Sequence, residues 1–387
     1  MKPLYLDYHA TTPVDPRVLA AILPYFTERF GNAASKQHAW GWEARDAVDT
    51  ARAQVAALIN ASAGEITFTS GASESNNLAL KGIVTARRDR GNHVVTTAIE
   101  HKSVLDVCKA FGADGVEVTI LGVRPDGLVD LDALRDAVRP GTLLVSVMAA
   151  NNEIGTIQPL AAIAAIAHAQ GALFHTDAAQ AAGKVPVDVI EADIDLLSLT
   201  AHKFYGPKGS GSLFVRRRKP RIALPPQIAG GGQENGLRSG TLNVPGIVGL
   251  GAAAEICRTE MAEEAARLGA LRDRLLDGLV ERLHDGVHVN GTMDARLPHN
   301  LHVSFDGVEG EALLMALSDL AVSTGSACAS GSQAVSHVME AIGVTGDRGR
   351  ATIRFGLGRT NTADDIDLAI DRVAAAVGAL RASPLAR

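Results

Sequence analysis

Between residues 65 and 215 the hydrophobic period switches back and forth, and few folds can absorb such a pattern. Short runs rich in β-branched residues fall at 65–69, 93–97, 116–120, 143–148, 172–175, 195–199 and 212–215. Helical patterns lie between most of them, for example at 103–111, 131–138 and 160–169. Strands that alternate with helices need crossover connections, so the spacing predicts a layered α/β domain around a mostly parallel sheet.

Beyond Pro245 the pattern changes. A long helical region runs towards Leu283, although Gly249 and Gly251 count against a helix at its start. Strand patterns at 288–290, 300–305 and 352–357, with helices at 309–317 and from Ala363 onward, predict a smaller α+β domain. At 387 residues the chain exceeds the roughly 250–300 at which a single core stops growing. A large domain over 15–255 and a small one built from 1–14 and 256–387 are therefore expected.

Hydrophobic residues make up 47% and charged residues 21% of the chain, and the net charge is −6. That balance indicates neither a nucleic-acid face nor a polybasic membrane patch. The one dense basic run, Arg216 to Lys219, follows an apolar strand and reads as a solvated edge. The first residues hold no apolar signal core, and the alanine-rich run 160–167 is far short of the roughly 20 residues that cross a bilayer. Cys108, Cys257 and Cys328 lie far apart and cannot all pair. A disulfide framework is not expected, and a reducing cytoplasm fits best, with no nucleic acid and no membrane as partner.

Four segments carry chemistry. In the first, Lys203 stands just past a buried-looking strand and just before a turn of glycine and proline. An interior lysine is costly unless paired or chemically used, and at a strand end it can bond to an aldehyde cofactor. Read alone, it is more often a lysine whose ammonium reaches solvent. In the second, Asp177 ends another strand, 26 residues before Lys203. A carboxylate there could keep the pyridine nitrogen of pyridoxal phosphate protonated, and Gln180 could donate to the phenolic oxygen. Alone, Asp177 is more often a helix cap.

The third segment, Thr69 to Asn77, puts glycine, small residues and hydroxyls between a strand and a helix. That is a ready phosphate cradle, though a plain cap looks similar. The glycine patterns of dinucleotide and P-loop sites are absent. Cradle, carboxylate and lysine in this order are far more specific together than apart. In the fourth, Ser323 to Ser332 are ten consecutive residues without a bulky side chain, with Cys328 among them. Such a stretch is expected to be a mobile loop, whose thiol can travel between a substrate and an outside acceptor. Cys108 and Cys257 fall within helical patterns and read as core. Two further candidates are His101, which could stack on a cofactor ring and shuttle protons, and Arg354, which could grip an amino-acid carboxylate. Each also fits a structural role.

Taken together, these motifs resemble the cysteine desulfurases of the NifS/IscS type, class V aminotransferase-like enzymes of fold-type I that use pyridoxal phosphate. The resemblance runs almost end to end, through Tyr5 to Pro13, Phe68 to Ala72, Glu100-His101 and Asn151 to Gly155. It continues through His202 to Gly209, Arg238 to Thr241, Gly325 to Cys328 and Ile353 to Phe355. It implies a homodimer with its active site at the interface, acting on L-cysteine. Lys203 would hold the cofactor and remove the α-proton, and His101 would stack on the ring. Asp177 would face the pyridine nitrogen and Gln180 the phenolic oxygen. Ala72, Ser73, Thr200 and His202 would hold the phosphate, with Thr241 reaching in from the partner subunit. Asn152 and Arg354 would take the substrate carboxylate, Asn152 also touching the cofactor.

Cys328 would receive the sulfur, leave alanine, and pass the persulfide to an acceptor of iron–sulfur cluster assembly or tRNA thiolation. No resident metal is implied, although Cys328 could serve as a transient iron–sulfur ligand. A selenocysteine lyase or a cysteine-independent C–S lyase is the nearest alternative on this scaffold. Three departures from the family pattern stand out. Thr200-Ala201 replaces a common Ser-Gly, and Ser332 to Ser336 replaces a common Leu-Glu-Pro stretch. The chain also ends at Arg387 without the tail that some members use to dock the iron–sulfur scaffold. The last two bear on the sulfur acceptor rather than on the chemistry.

Overall fold

The computed structural model describes residues 3–218, 221–324 and 334–382. Seven strands form the main sheet, in the spatial order Ile66–Thr69, Gly211–Val215, Leu196–Thr200, Leu173–Asp177, Thr142–Ser146, His93–Thr97, Glu117–Leu121. Gly211–Val215 runs antiparallel to both neighbours, and the other pairings are parallel. The expected mostly parallel sheet is present, with strand bounds displaced by no more than two residues.

Neighbouring residues on these strands serve opposite faces. Leu144, Leu173 and Leu196 enter one apolar cluster, with the helices Ala72–Ala86 and Lys102–Phe111. Val145, Phe174 and Leu197 enter another, with the helices Ala39–Leu58 and Leu160–Ala169. Six of the seven strands are buried along their whole length and read as continuous apolar runs instead of alternating ones, whereas the edge strand Glu117–Leu121 is partly exposed. Each fully buried side chain of this size contributes about 1.5–3 kcal/mol.

The helix Val244–Leu283 runs unbroken through Gly249 and Gly251, contrary to the doubt they raise in sequence. Close packing explains them. A Cβ on Gly251 would lie 2.5 Å from Ala51 Cα, and one on Gly249 2.8 Å from the Pro207 ring. Cys257 of this helix packs in the sheet core, whereas Leu268, Leu275 and Leu279 pack in a separate cluster with Val303, Phe355 and the helix Ala363–Ala382. Residue 255 therefore sits inside a continuous helix. The separate cluster covers an antiparallel three-stranded sheet, Thr352–Gly356, Asn300–Phe305, Val287–Val289.

Leu4–Tyr5 pairs in parallel with Leu320–Ala321, two strands too short to leave a period in sequence. The N-terminal segment continues along Gly356, which bonds to Leu6 and Tyr8. The reading of the basic run as solvated holds at Arg218, which is exposed, and fails at Arg216. It is only 14% exposed and pairs with Asp193 at 2.7 Å and Asp195 at 3.4 Å. Lys219 lies outside the described residues. Cys108 and Cys257 are buried and unpaired.

Candidate active site

The parallel strands end on one edge of the sheet, and residues just past those ends line a cavity of about 500 Å³. Lys203 closes a single 3-10 turn, Ala201–Lys203, directly after Leu196–Thr200. Its Nζ donates to the carbonyls of His9 and, at 2.9 Å, Ala10, so the N-terminal segment sets the place of the amine. Beside it, His202 Nδ1 lies 3.1 Å from Thr11 Oγ1. Burial and the charges of Lys203 and Lys208 push the His202 pKa down to about 4, which leaves the ring neutral at physiological pH.

Gly71, at φ 151°, turns the chain from Ile66–Thr69 into Ala72–Ala86. No side chain among the described residues caps this helix, so the amides at its start, on the cavity-lining Ala72 and Ser73, remain for an anion. Gly211 makes the turn possible, because it pairs with both Thr69 and Thr200 and a Cβ there would meet Gly71 Cα at 2.6 Å. Thr200 Oγ1 donates to the Ser210 carbonyl at 3.3 Å and stands 3.5 Å from where Gly71 would carry a Cβ.

Asp177 ends Leu173–Asp177 and is 5% exposed. Its Oδ1 accepts from the Ala179 amide at 2.9 Å, so it caps the following turn as well as lining the cavity. Its Oδ2 accepts from Asn76 Nδ2 at 2.7 Å. Asn76 also donates to Ser103 Oγ at 2.8 Å, and that hydroxyl lies 2.8 Å from His101 Nδ1. The Ser103 amide reaches the same nitrogen at 3.1 Å and can only donate. Nδ1 is therefore an acceptor, and a neutral His101 carries its proton on Nε2.

The facing wall is assembled differently. Arg354 comes from Thr352–Gly356 in the small sheet, and its guanidinium is almost fully buried. Nη2 pairs with Asp7 Oδ1 at 2.6 Å and Nη1 donates to the Asn152 carbonyl at 2.8 Å. Two buried acids stand close by. Burial pushes Glu100 up to about 8, with Oε1 held by the Thr97 hydroxyl at 2.9 Å and the Met148 amide at 2.8 Å. Burial also raises Glu153, whose Oε2 accepts from Ser336 Oγ at 2.6 Å. His337 joins the lining, with Nε2 3.1 Å from the Glu100 carbonyl.

The expected residues from Ala72 to Arg354 meet in this one cavity, Gln180 and Asn152 included. Thr241 does not, being exposed and outside it. Cys328 lies outside the described residues. The sequence reading missed Asn76, Ser103, Asp7 and His9. Asn76 stands one helical turn after Ala72 and Ser73, a spacing that could have revealed it. Asp7 and His9 carry no local signal, because their partners are remote in the chain.

Residues 4–368 match the model of the aminotransferase class-V family. The chain is also 56% identical, over 99% of its length and 95% of the relative, to a protein named cysteine desulfurase IscS from Anaeromyxobacter sp. (strain Fw109-5). The chain belongs to the class-V cysteine desulfurases. Among solved structures, a NifS-like protein matches with a TM-score of 0.90 at 38% identity, covering 98% of this chain and 100% of that one. SspA, solved in complex with cysteine, matches with 0.79 at 37% identity, covering 92% and 98%. Class-V cysteine desulfurases depend on pyridoxal phosphate. The cavity suits it, with an uncapped helix start for a phosphate, a buried carboxylate for a ring nitrogen and a strand-end amine for an aldehyde.

Proposed function

We propose that the chain takes sulfur from L-cysteine, releases L-alanine, and carries the sulfur as a persulfide on Cys328 for an acceptor protein. The observation that carries this reading is the meeting of lysine, buried carboxylate, uncapped helix start and guanidinium in one cavity. The name of the relatives and the cysteine complex of SspA support the substrate. When bound, pyridoxal phosphate supplies an aldehyde for the substrate amine and a ring that draws electrons from the α-carbon.

The Ala72 and Ser73 amides, Thr200 and His202 would hold the phosphate. Asp177 would keep a proton on the ring nitrogen, Gln180 would donate to the phenolic oxygen, and His101 would lie along the ring with its proton on Nε2. Arg354 and Asn152 would receive the α-carboxylate, and Asp7 holds the guanidinium fork in place beforehand. Lys203 Nζ would take the α-proton. Cys328 Sγ, as the thiolate, attacks the substrate sulfur. One S–S bond forms and the substrate Cβ–S bond breaks, its electrons staying on carbon, which takes up a proton to give alanine.

We also assign a homodimer in the cytoplasm. Leu23, Phe26, Phe30, Trp40 and Trp42 are each at least half exposed, and an apolar stretch of this kind suits a subunit interface. Thr241 is assigned to the partner's phosphate site. Two unpaired buried cysteines fit a reducing compartment, and no helix among the described residues is long and apolar enough to cross a membrane. Iron–sulfur cluster assembly and tRNA thiolation are the acceptor routes that the family resemblance favours. The test is direct. Purified protein should be yellow and release alanine from L-cysteine, whereas colourless protein that stays inactive with added pyridoxal phosphate overturns the reading.

A further inference from the structure

A buried cation stands at the far end of a hydrogen-bond chain that leads into the cavity. Arg296 is 5% exposed, and its fork engages only neutral acceptors among the described residues. Nε donates to the Thr292 carbonyl at 2.8 Å, Nη2 to the Asn290 carbonyl, and Nη1 to Asn300 Oδ1 at 2.7 Å. A guanidinium buried without a carboxylate is unfavourable, which invites the question of what its charge does there. Burial draws its pKa down to about 9, so it remains a cation at neutral pH.

Every proton in the chain can be placed. Asn300 turns Oδ1 to Arg296, which has only donors, and Nδ2 to the Glu153 carbonyl at 2.9 Å, which only accepts. With the amide fixed from both sides, Nδ2 donates to His9 Nε2 at 3.0 Å. Gln180 is fixed likewise, because Nε2 donates to the His9 backbone carbonyl at 3.1 Å and so Oε1 is the atom 3.0 Å from His9 Nδ1. His9 thus accepts at Nε2 and donates from Nδ1. The ring is neutral, being fully buried, stacked at 4.4 Å on the equally buried His299, and near the positive charges of Arg354, Lys203 and Lys184.

We propose that Arg296, Asn300 and His9 are positioning residues for Gln180, turning its amide and polarising it so that its second N–H becomes a stronger donor to the bound cofactor. This rests on the reading that Gln180 faces the phenolic oxygen. The N–H groups of Arg296, Asn300 and His9 all donate towards Gln180, so their dipoles align head to tail away from the buried charge. Each bond strengthens the next in such a chain, most of all where water is excluded. The His9 carbonyl also accepts from Lys203 Nζ, so one residue sets the lysine and the glutamine against each other.

The test is the pH at which the visible band of the cofactor-loaded protein changes. A donor to the phenolic oxygen stabilises its negative charge and disfavours protonation beside it, so a weaker donor raises that midpoint. Gln180→Ala sets the largest shift. His9→Leu and Arg296→Met should each raise the midpoint by at least about half a unit. The double variant should move no further than the larger single one, because both substitutions break one chain. His9→Leu keeps the backbone carbonyl used by Lys203 and Gln180, and decides the matter if Arg296→Met does not fold, as judged by melting the cofactor-free variants. An unshifted midpoint in folded His9→Leu, with Gln180→Ala shifted, overturns the relay and leaves the desulfurase reading standing. A wild type with no visible band overturns both.

Discussion

The two walls of the cavity are held by different means. On the sheet side, Asp177 and Thr200 end adjacent parallel strands, with Asp177 paired to Ser198, and Lys203 follows three residues later. On the facing side, Asp7, Asn152 and Arg354 come from three separate segments, and the ion pair between Asp7 and Arg354 spans 347 residues of chain. One wall takes its backbone geometry from ladder hydrogen bonds in a buried sheet, with the Lys203 amine then set by the His9 and Ala10 carbonyls. The other depends on how the small sheet docks against the N-terminal segment. The sheet wall should therefore carry the chemistry and the facing wall the capture of substrate, and substitutions on each should fail in different ways.

The largest effect is expected on the sheet wall. Lys203→Ala should lose at least about a thousandfold in alanine release, within the range of a missing acid–base group, with little change in melting temperature. Residual turnover within tenfold of wild type would move the chemistry off this wall. Next comes the facing wall. Arg354→Lys keeps the charge but not the fork, and should lose about tenfold or more in kcat/KM, mostly through KM. Cysteamine, which lacks the carboxylate, should not be turned over. Its use as readily as cysteine would break the distinction between the walls.

The same division governs what could be read from sequence. Lys203, Asp177 and the Gly71 turn were legible because strand period and strand end place them without any knowledge of remote partners. The strands around them are buried on both faces, so their apolar runs were plain. Asp7, His9 and Asn300 were not, since nothing near them marks a contact that spans the chain, as that of His9 with Asn300 across 291 residues does. Gly249 and Gly251 misled for a related reason: glycine in a helix counts as a breaker until the neighbour that needs the space is known. Arg216 misled because its acid partners, Asp193 and Asp195, lie in the connection that precedes the strand Leu196–Thr200, about 20 residues away in sequence.

Glu100 joins the walls, binding Thr97 at a strand end and Met148 two residues past another, while its carbonyl meets His337. Burial lifts it from 4.5 to about 8, so the folded protein keeps a proton that the unfolded chain gives up. Stability should fall as pH rises from about 4.5 to 8. Glu100→Gln, neutral throughout, should melt close to wild type near pH 5 and a few degrees higher at pH 8. Parallel melting profiles across that range would show that Glu100 is not held protonated. The smallest effects belong to the core thiols. Cys108→Ser and Cys257→Ser should each leave alanine release within about twofold of wild type while costing about 1 kcal/mol or more of stability.

Sulfur transfer to Cys328 is tested most directly by mass spectrometry of the wild type after brief exposure to L-cysteine, with peptide mapping and Cys328→Ser in parallel. The expected result is one added sulfur atom on the Cys328 peptide, none on Cys108 or Cys257, and no alanine from Cys328→Ser. Sulfur on another cysteine would contradict the role of Cys328, and full alanine release by Cys328→Ser with no sulfur on the protein would contradict the persulfide account and favour a C–S lyase reaction.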